Sequence, residues 1–229
     1  MLTWGSGEHL VLLIHGMLGA ATQYHELGPA LAGYGYRVVA VDLPGHGAAA
    51  PGETMEDFVA AVVEAADRRP ALAIGHSLGA IVLWEALAEL RPERAVYVDV
   101  PLDGGGPSRR SADELRAHFA RSRAARNEGQ LRGSRPGWSA EDCRVEARAA
   151  EQFDVETAVA LERSYAGRPA LRTSVPSLVV RADPSRYVSA ERARELEALG
   201  FCVRGIDGAG HSVWYGRVDD FLRALDGWL

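Results

Sequence analysis

Short, largely apolar runs alternate with helical segments along most of this chain, and that alternation restricts the fold more than any other feature. Leu10–Ile14 ("LVLLI") ends at His15-Gly16, and "RVVAVDLPGHG" (37–47) is stopped by Pro44 and two glycines. Further runs occupy 71–77, 95–100, 177–182 and 201–206. Such runs read as strands buried on both faces, as in parallel sheets. Between them lie segments of helical spacing. Tyr24, Leu27 and Leu31 mark 21–35, and Thr54, with Asp57 three residues later, caps "MEDFVAAVVEAAD". The stretch 78–90 is apolar nearly all round and ends before Pro92, and 189–199 and 218–229 complete the set. Strand–helix alternation predicts an α/β protein, its mostly parallel sheet covered by helices on both faces and joined by right-handed crossovers.

The rhythm breaks once. From Asp103 to Arg172 no apolar strand is visible; the segment is rich in arginine and alanine, with helical stretches near 111–126, 139–151 and 154–165. The expected division is therefore a core of 1–102 and 173–229 and a helical insertion over 103–172. Helices inserted at the edge of such a sheet commonly serve as a lid.

Composition excludes several classes. With 229 residues and 47% apolar content, the chain suits one domain with a sizeable core. All 25 basic residues are arginine, the net charge is −6, and the charges are scattered, so nothing marks a nucleic-acid partner. Cys143 and Cys202 are too isolated for a disulfide framework or a metal cluster and suit a reducing compartment. The beginning of the chain lacks a basic signal region, and Leu10–Ile14 is too short to cross a membrane. A cytoplasmic protein is expected, its oligomeric state open.

Chemistry in an open parallel sheet gathers at the carboxyl ends of the strands. Ser77 lies in Gly75-His76-Ser77-Leu78-Gly79, a G-x-S-x-G between a strand and a helix. That context holds a serine out at a sharp turn, with small neighbours because strand and helix nearly collide. His211 follows the last strand in a glycine-rich loop, later in the chain than the serine and every candidate acid. It suits a general base toward Ser77 and then a general acid toward the leaving group. His15-Gly16-Met17 follows the first clear strand, so the backbone N–H groups of Met17 and Leu78 are candidates for an oxyanion hole. His15 and His46 read as structural, His76 as pointing away from substrate, and His25 and His118 have no context. Phe119, Trp138 and Tyr165 fit either a pocket wall or the packing of the inserted helices.

The segments "LLIHGMLG", "VVAVDLPGHG", "AIGHSLGA" and "GAGHSVWYGRVDDFLRAL" together resemble the α/β-hydrolase superfamily. The resemblance spans all but the 103–172 insertion. It implies a serine nucleophile with an acid–histidine pair, no cofactor or metal, a helical cap, and a first antiparallel strand or two that is reduced or missing. It also places the acid after the strand at 177–182, which favours Asp183. Arg181 stands where the family normally has glycine, and Asp99, after the preceding strand, is the competitor. Asp207 lies too near His211. These residues lead to a serine hydrolase of a carboxylic ester, thioester or lactone, acting on a small molecule with an apolar portion through an acyl-enzyme. A C–C bond hydrolase or cofactor-free perhydrolase with the same triad, or a non-catalytic binding member of the fold, is the alternative. A carboxylate-dependent dehalogenase is disfavoured because a serine stands at 77.

Overall fold

The computed structural model describes residues 1–103, 108–165, 167 and 174–229. Its strands are β1 (Leu2–Trp4), β2 (Leu10–Ile14), β3 (Arg37–Val41), β4 (Pro70–His76), β5 (Arg94–Val98), β6 (Ser177–Asp183) and β7 (Cys202–Asp207). They form one 7-stranded sheet in the order β1-β3-β2-β4-β5-β6-β7. Every pairing is parallel except that of β1, which runs antiparallel to β3. The antiparallel edge is thus reduced to a three-residue strand. The expected α/β-hydrolase architecture is the one observed.

The helices are α1 (Leu27–Gly33), α2 (Met55–Ala65), α3 (Leu78–Leu90), α4 (Ala112–Ala124), α5 (Glu128–Ser134), α6 (Ala140–Glu151), α7 (Val155–Ser164), α8 (Ala190–Ala198) and α9 (Val218–Ala224). The helix read over 21–35 is split: a 3-10 helix, Ala21–Tyr24, precedes α1, with His25-Glu26 at the break. The Thr54–Asp57 capping box starts α2 as expected.

Two cores sandwich the sheet. Alternate residues of β2 go to opposite sides: Leu10, Leu12 and Ile14 pack with α2, α3 and α8, whereas Val11 and Leu13 pack with α1 and the α9 side. The same alternation holds in β5, where Ala95 and Tyr97 face one core and Val96 and Val98 the other. A strand wetted on neither face has no polar side to show, so its run is apolar throughout. Each buried Val, Leu or Ile contributes roughly 1.5–3 kcal/mol.

Helices α4–α7 lie between β5 and β6, and no strand falls among the described residues there. The boundary expected at 172–173 lies outside the described residues. Phe119 joins Leu115, Phe153, Ala158 and Val159 in a small cluster with Leu18 of the core. Trp138 packs on Leu131, Cys143 and Ala147 and meets Tyr215 edge-on at 4.5 Å. Both aromatics therefore glue helices to the core. Tyr165 donates to Glu85 Oε1 at 3.0 Å. Helix α5 went unread because Leu131 is its one buried residue, leaving no apolar periodicity.

Packing is close at the turn from β4 into α3. A Cβ on Gly79 would overlap the carbonyl oxygens of Ile14 and His15, and one on Gly75 would overlap the backbone of Gly79 and Ala80. Backbone on both sides leaves no flexible atom to yield. Gly79→Ala is expected to cost at least about 1–3 kcal/mol, the range for overpacking, read as a lowered urea midpoint at unchanged m-value.

Candidate active site

Ser77 stands between β4 and α3 with φ 51 and ψ −115. Positive φ is unusual for serine and stores strain of order 1–3 kcal/mol. The turn is held by Ser77 N–H donating to Val98 O at 3.0 Å, which ties it to the end of β5. Leu78 opens α3, so its N–H has no acceptor within the helix. The loop after β2 closes on the same corner: a Cβ on Gly16 would lie 3.1 Å from Cβ of Ser77. Met17 follows it, partly buried and packed against both the large core and the inserted helices.

His211 comes to this edge after β7. Its ring lies 4.5 Å from that of His76, the residue before Ser77. His76 Nε2 donates to His211 O at 3.0 Å. His76 thus packs against the His211 loop, with Trp214 edge-on at 5.0 Å. Tyr187 covers His211 on the outside, centroids 4.2 Å apart and planes tilted 32°.

The acid partner differs from the one favoured by sequence. His211 Nδ1 donates to Asp99 Oδ2 at 2.8 Å. Asp99 is 1% exposed, at the end of β5, with φ 48. Asp183 is turned elsewhere: Arg181 Nη2 lies 3.0 Å from its Oδ2, and its side chain is 51% exposed. A Cβ on Gly205 would lie 3.2 Å from that oxygen, so the carboxylate leans over β7. The arginine that departs from the family pattern is the group that occupies Asp183.

Two donors complete the Asp99 carboxylate. Ala182 N–H donates to Oδ1 at 3.2 Å and Ser185 Oγ at 2.6 Å. Ser185 Oγ accepts the N–H groups of Tyr187 and Val188, both at 2.9 Å. With its lone pairs taken, the hydroxyl has its one proton for Asp99. Three donors make a buried carboxylate tolerable. Ser185 and Tyr187 were not found from sequence, because no motif marks them and only the fold brings them to Asp99 and His211.

Two further histidines, His15 and His46, bond to loop backbone. His15 Nε2 accepts Leu43 N–H at 3.0 Å while Nδ1 donates to Gly16 O at 2.8 Å, tying the loops after β2 and β3 together. His46 Nδ1 donates to Pro44 O at 2.8 Å. Burial lowers His15 from 6.5 to about 4 and His46 from 6.5 to about 3. Burial, followed by the neighbouring His211, also holds His76 well below its ordinary value. Cys143 is buried and Cys202 exposed, both as free thiols. No helix among the described residues is long and apolar enough to cross a membrane.

A sequence model of the alpha/beta hydrolase family matches residues 11–224. The chain belongs to that family. It is 34% identical over 108 residues to epoxide hydrolase B of Mycobacterium tuberculosis, a match covering 42% of this chain and 30% of that enzyme. The match therefore spans less than a third of that relative's length. Among solved structures, E-2-(acetamidomethylene)succinate hydrolase superposes with TM-score 0.77 at 24% identity, covering 99% of this chain and 92% of the other. A bromoperoxidase from Bacillus anthracis does so with TM-score 0.77 at 19% identity, covering 99% and 93%. At these identities the structures share the fold.

The buried histidines set an acid limit on stability. Each takes up a proton near 6.5 when unfolded and only at lower pH when folded, so unfolding absorbs protons in between. Their contribution to stability is full above about pH 6.5 and falls on acidification toward 4 and 3, by a few kcal/mol for each histidine. Thermal unfolding across this range is expected to show the loss. His46→Asn, whose amide nitrogen takes the place of Nδ1 as donor toward Pro44 but cannot titrate, is expected to reduce its slope.

Proposed function

We propose that this protein is a serine hydrolase that cleaves a carboxylic ester, thioester or lactone of a small molecule through an acyl-enzyme on Ser77. The observation that carries the reading is the His211–Asp99 hydrogen bond at the sheet edge where Ser77 is held at positive φ. Because Nδ1 donates to Asp99, the Nε2 lone pair of the neutral imidazole is left for a proton from Ser77.

In this mechanism Ser77 Oγ attacks the carbonyl carbon as its proton passes to His211 Nε2. Asp99 stabilises the imidazolium and holds the ring. The oxyanion takes hydrogen bonds from the N–H groups of Met17 and Leu78, and the α3 N-terminus beneath favours its charge. Collapse expels the leaving group, which takes the proton from His211. Water, deprotonated by the same imidazole, then attacks the acyl carbon, and Ser77 leaves with that proton. The triad acid is Asp99, in place of Asp183. Helices α4–α7 act as the cap, a role supported by their insertion after β5 and their packing on Leu18. Met17, between core and cap, supports an apolar acyl or leaving group.

A fluorophosphonate probe is expected to label the wild type and leave Ser77→Ala unlabelled; an unlabelled, folded wild type would overturn the reading. With a p-nitrophenyl ester, Asp99→Asn is expected to lower kcat by up to about 10⁴-fold, and Asp183→Asn to stay near wild type. Ser185→Ala, which removes a donor from the Asp99 carboxylate, is expected to lower kcat by about tenfold at similar KM; an unchanged kcat would assign Ser185 to the loop alone.

A further inference from the structure

Away from the Ser77 edge, helix α6 turns two carboxylates into the protein, Asp142 at 0% and Glu146 at 6% exposure. A buried charge needs compensation, and the two are served very differently. Glu146 is met by Gln23 Nε2, by Arg126 Nε at 3.1 Å and by the Tyr215 hydroxyl at 3.5 Å. Asp142 has one donor, Ser139 N–H on Oδ2 at 2.7 Å, where it closes the helix-capping box. Its Oδ1 is buried without a hydrogen-bond partner.

What faces that oxygen is a set of further ligand atoms. His25 Nε2 is 3.5 Å away, and both ring nitrogens of His25 are buried without hydrogen bonds. Glu26 is next in the chain, exposed at the rim. One donor atom from each of His25, Glu26 and Asp142 lies within 4.8 Å of the others. Two ligands of a tetrahedral zinc are about 3.4 Å apart, given bonds of about 2.0–2.1 Å, so the His25–Asp142 pair already has this spacing. The Glu26 side chain makes no capping bond at the start of α1, which leaves it free to turn inward.

We propose that His25, Glu26 and Asp142 form a binding site for a divalent transition-metal ion, with zinc as the best match. Two carboxylates and a neutral imidazole balance the charge of a dication, and the imidazole selects zinc over calcium or magnesium. The exposed Glu26 marks the entry path, and water completes the coordination. The ion fastens α6 of the inserted helices to the break between the 3-10 helix and α1, in the segment that follows Gly16-Met17. Its role is to hold the insertion on the core.

The test is calorimetric titration of chelator-treated full-length protein with zinc chloride at pH 7.5, paired with thermal unfolding in zinc and in EDTA. Expected are one saturable site and a rise in Tm of a few degrees, reversed by EDTA. His25→Ala and Glu26→Gln are each expected to weaken binding at least about tenfold, while Ser77→Ala binds as wild type does. Both variants leave the Asp142 capping box intact, so loss of binding is separable from loss of fold. Absence of saturable binding below millimolar zinc would overturn the site. Binding that survives His25→Ala would also overturn it. Neither readout depends on hydrolysis, so the site and the proposed activity stand or fall separately.

Discussion

The turn that carries Ser77 is the constraint on which the rest of the candidate site depends. A serine at φ 51 is held there by a hydrogen bond to Val98 and by contacts that admit no Cβ at 75 or 79. The strain is local, while the forces that sustain it are spread over β2, β4 and β5, all buried on both faces. A turn of this kind persists only where the surrounding structure over-determines it. Gly79 lies against the Ile14 and His15 carbonyls, so the same contact that permits the turn brings the Gly16-Met17 loop alongside the serine.

From that corner the hydrogen bonds run outward in one connected set. His76 holds the His211 backbone, His211 holds Asp99, and Asp99 is held by Ala182 and Ser185. Asp99 ends β5, the strand beside β4, whereas Asp183 ends β6, one strand further out. The nearer acid is dry and fully bonded; the farther one is half in water and paired with Arg181. In a preorganised site the carboxylate with fixed donors is the one able to orient an imidazole.

The inserted helices belong to the same economy of burial. They carry few large apolar residues, so Phe119, Phe153 and Trp138 do much of their docking, and polar groups fill the remainder of the seam. That seam explains why carboxylates appear on the inner face of α6. It also explains why His25, isolated in the sequence, lies beside one of them.

Much of the architecture was legible from residue order alone. Runs such as "LVLLI" have no polar face, and that can be satisfied only inside a covered parallel sheet. Gly75-x-Ser77-x-Gly79 between such a run and an apolar helix defined the turn, because sterics there act between near neighbours. Which of Asp99 and Asp183 meets His211 was visible only in the tertiary structure. Both follow strands and both precede His211, and the difference lies in where Arg181 and Ser185 project once β5 and β6 are paired. The same holds for Ser185, Tyr187 and the His25–Asp142 pair, which is separated by more than a hundred residues. Local sterics and hydrophobic periodicity are written in sequence neighbours; hydrogen-bond partners drawn from different strands and helices exist only after the chain has folded.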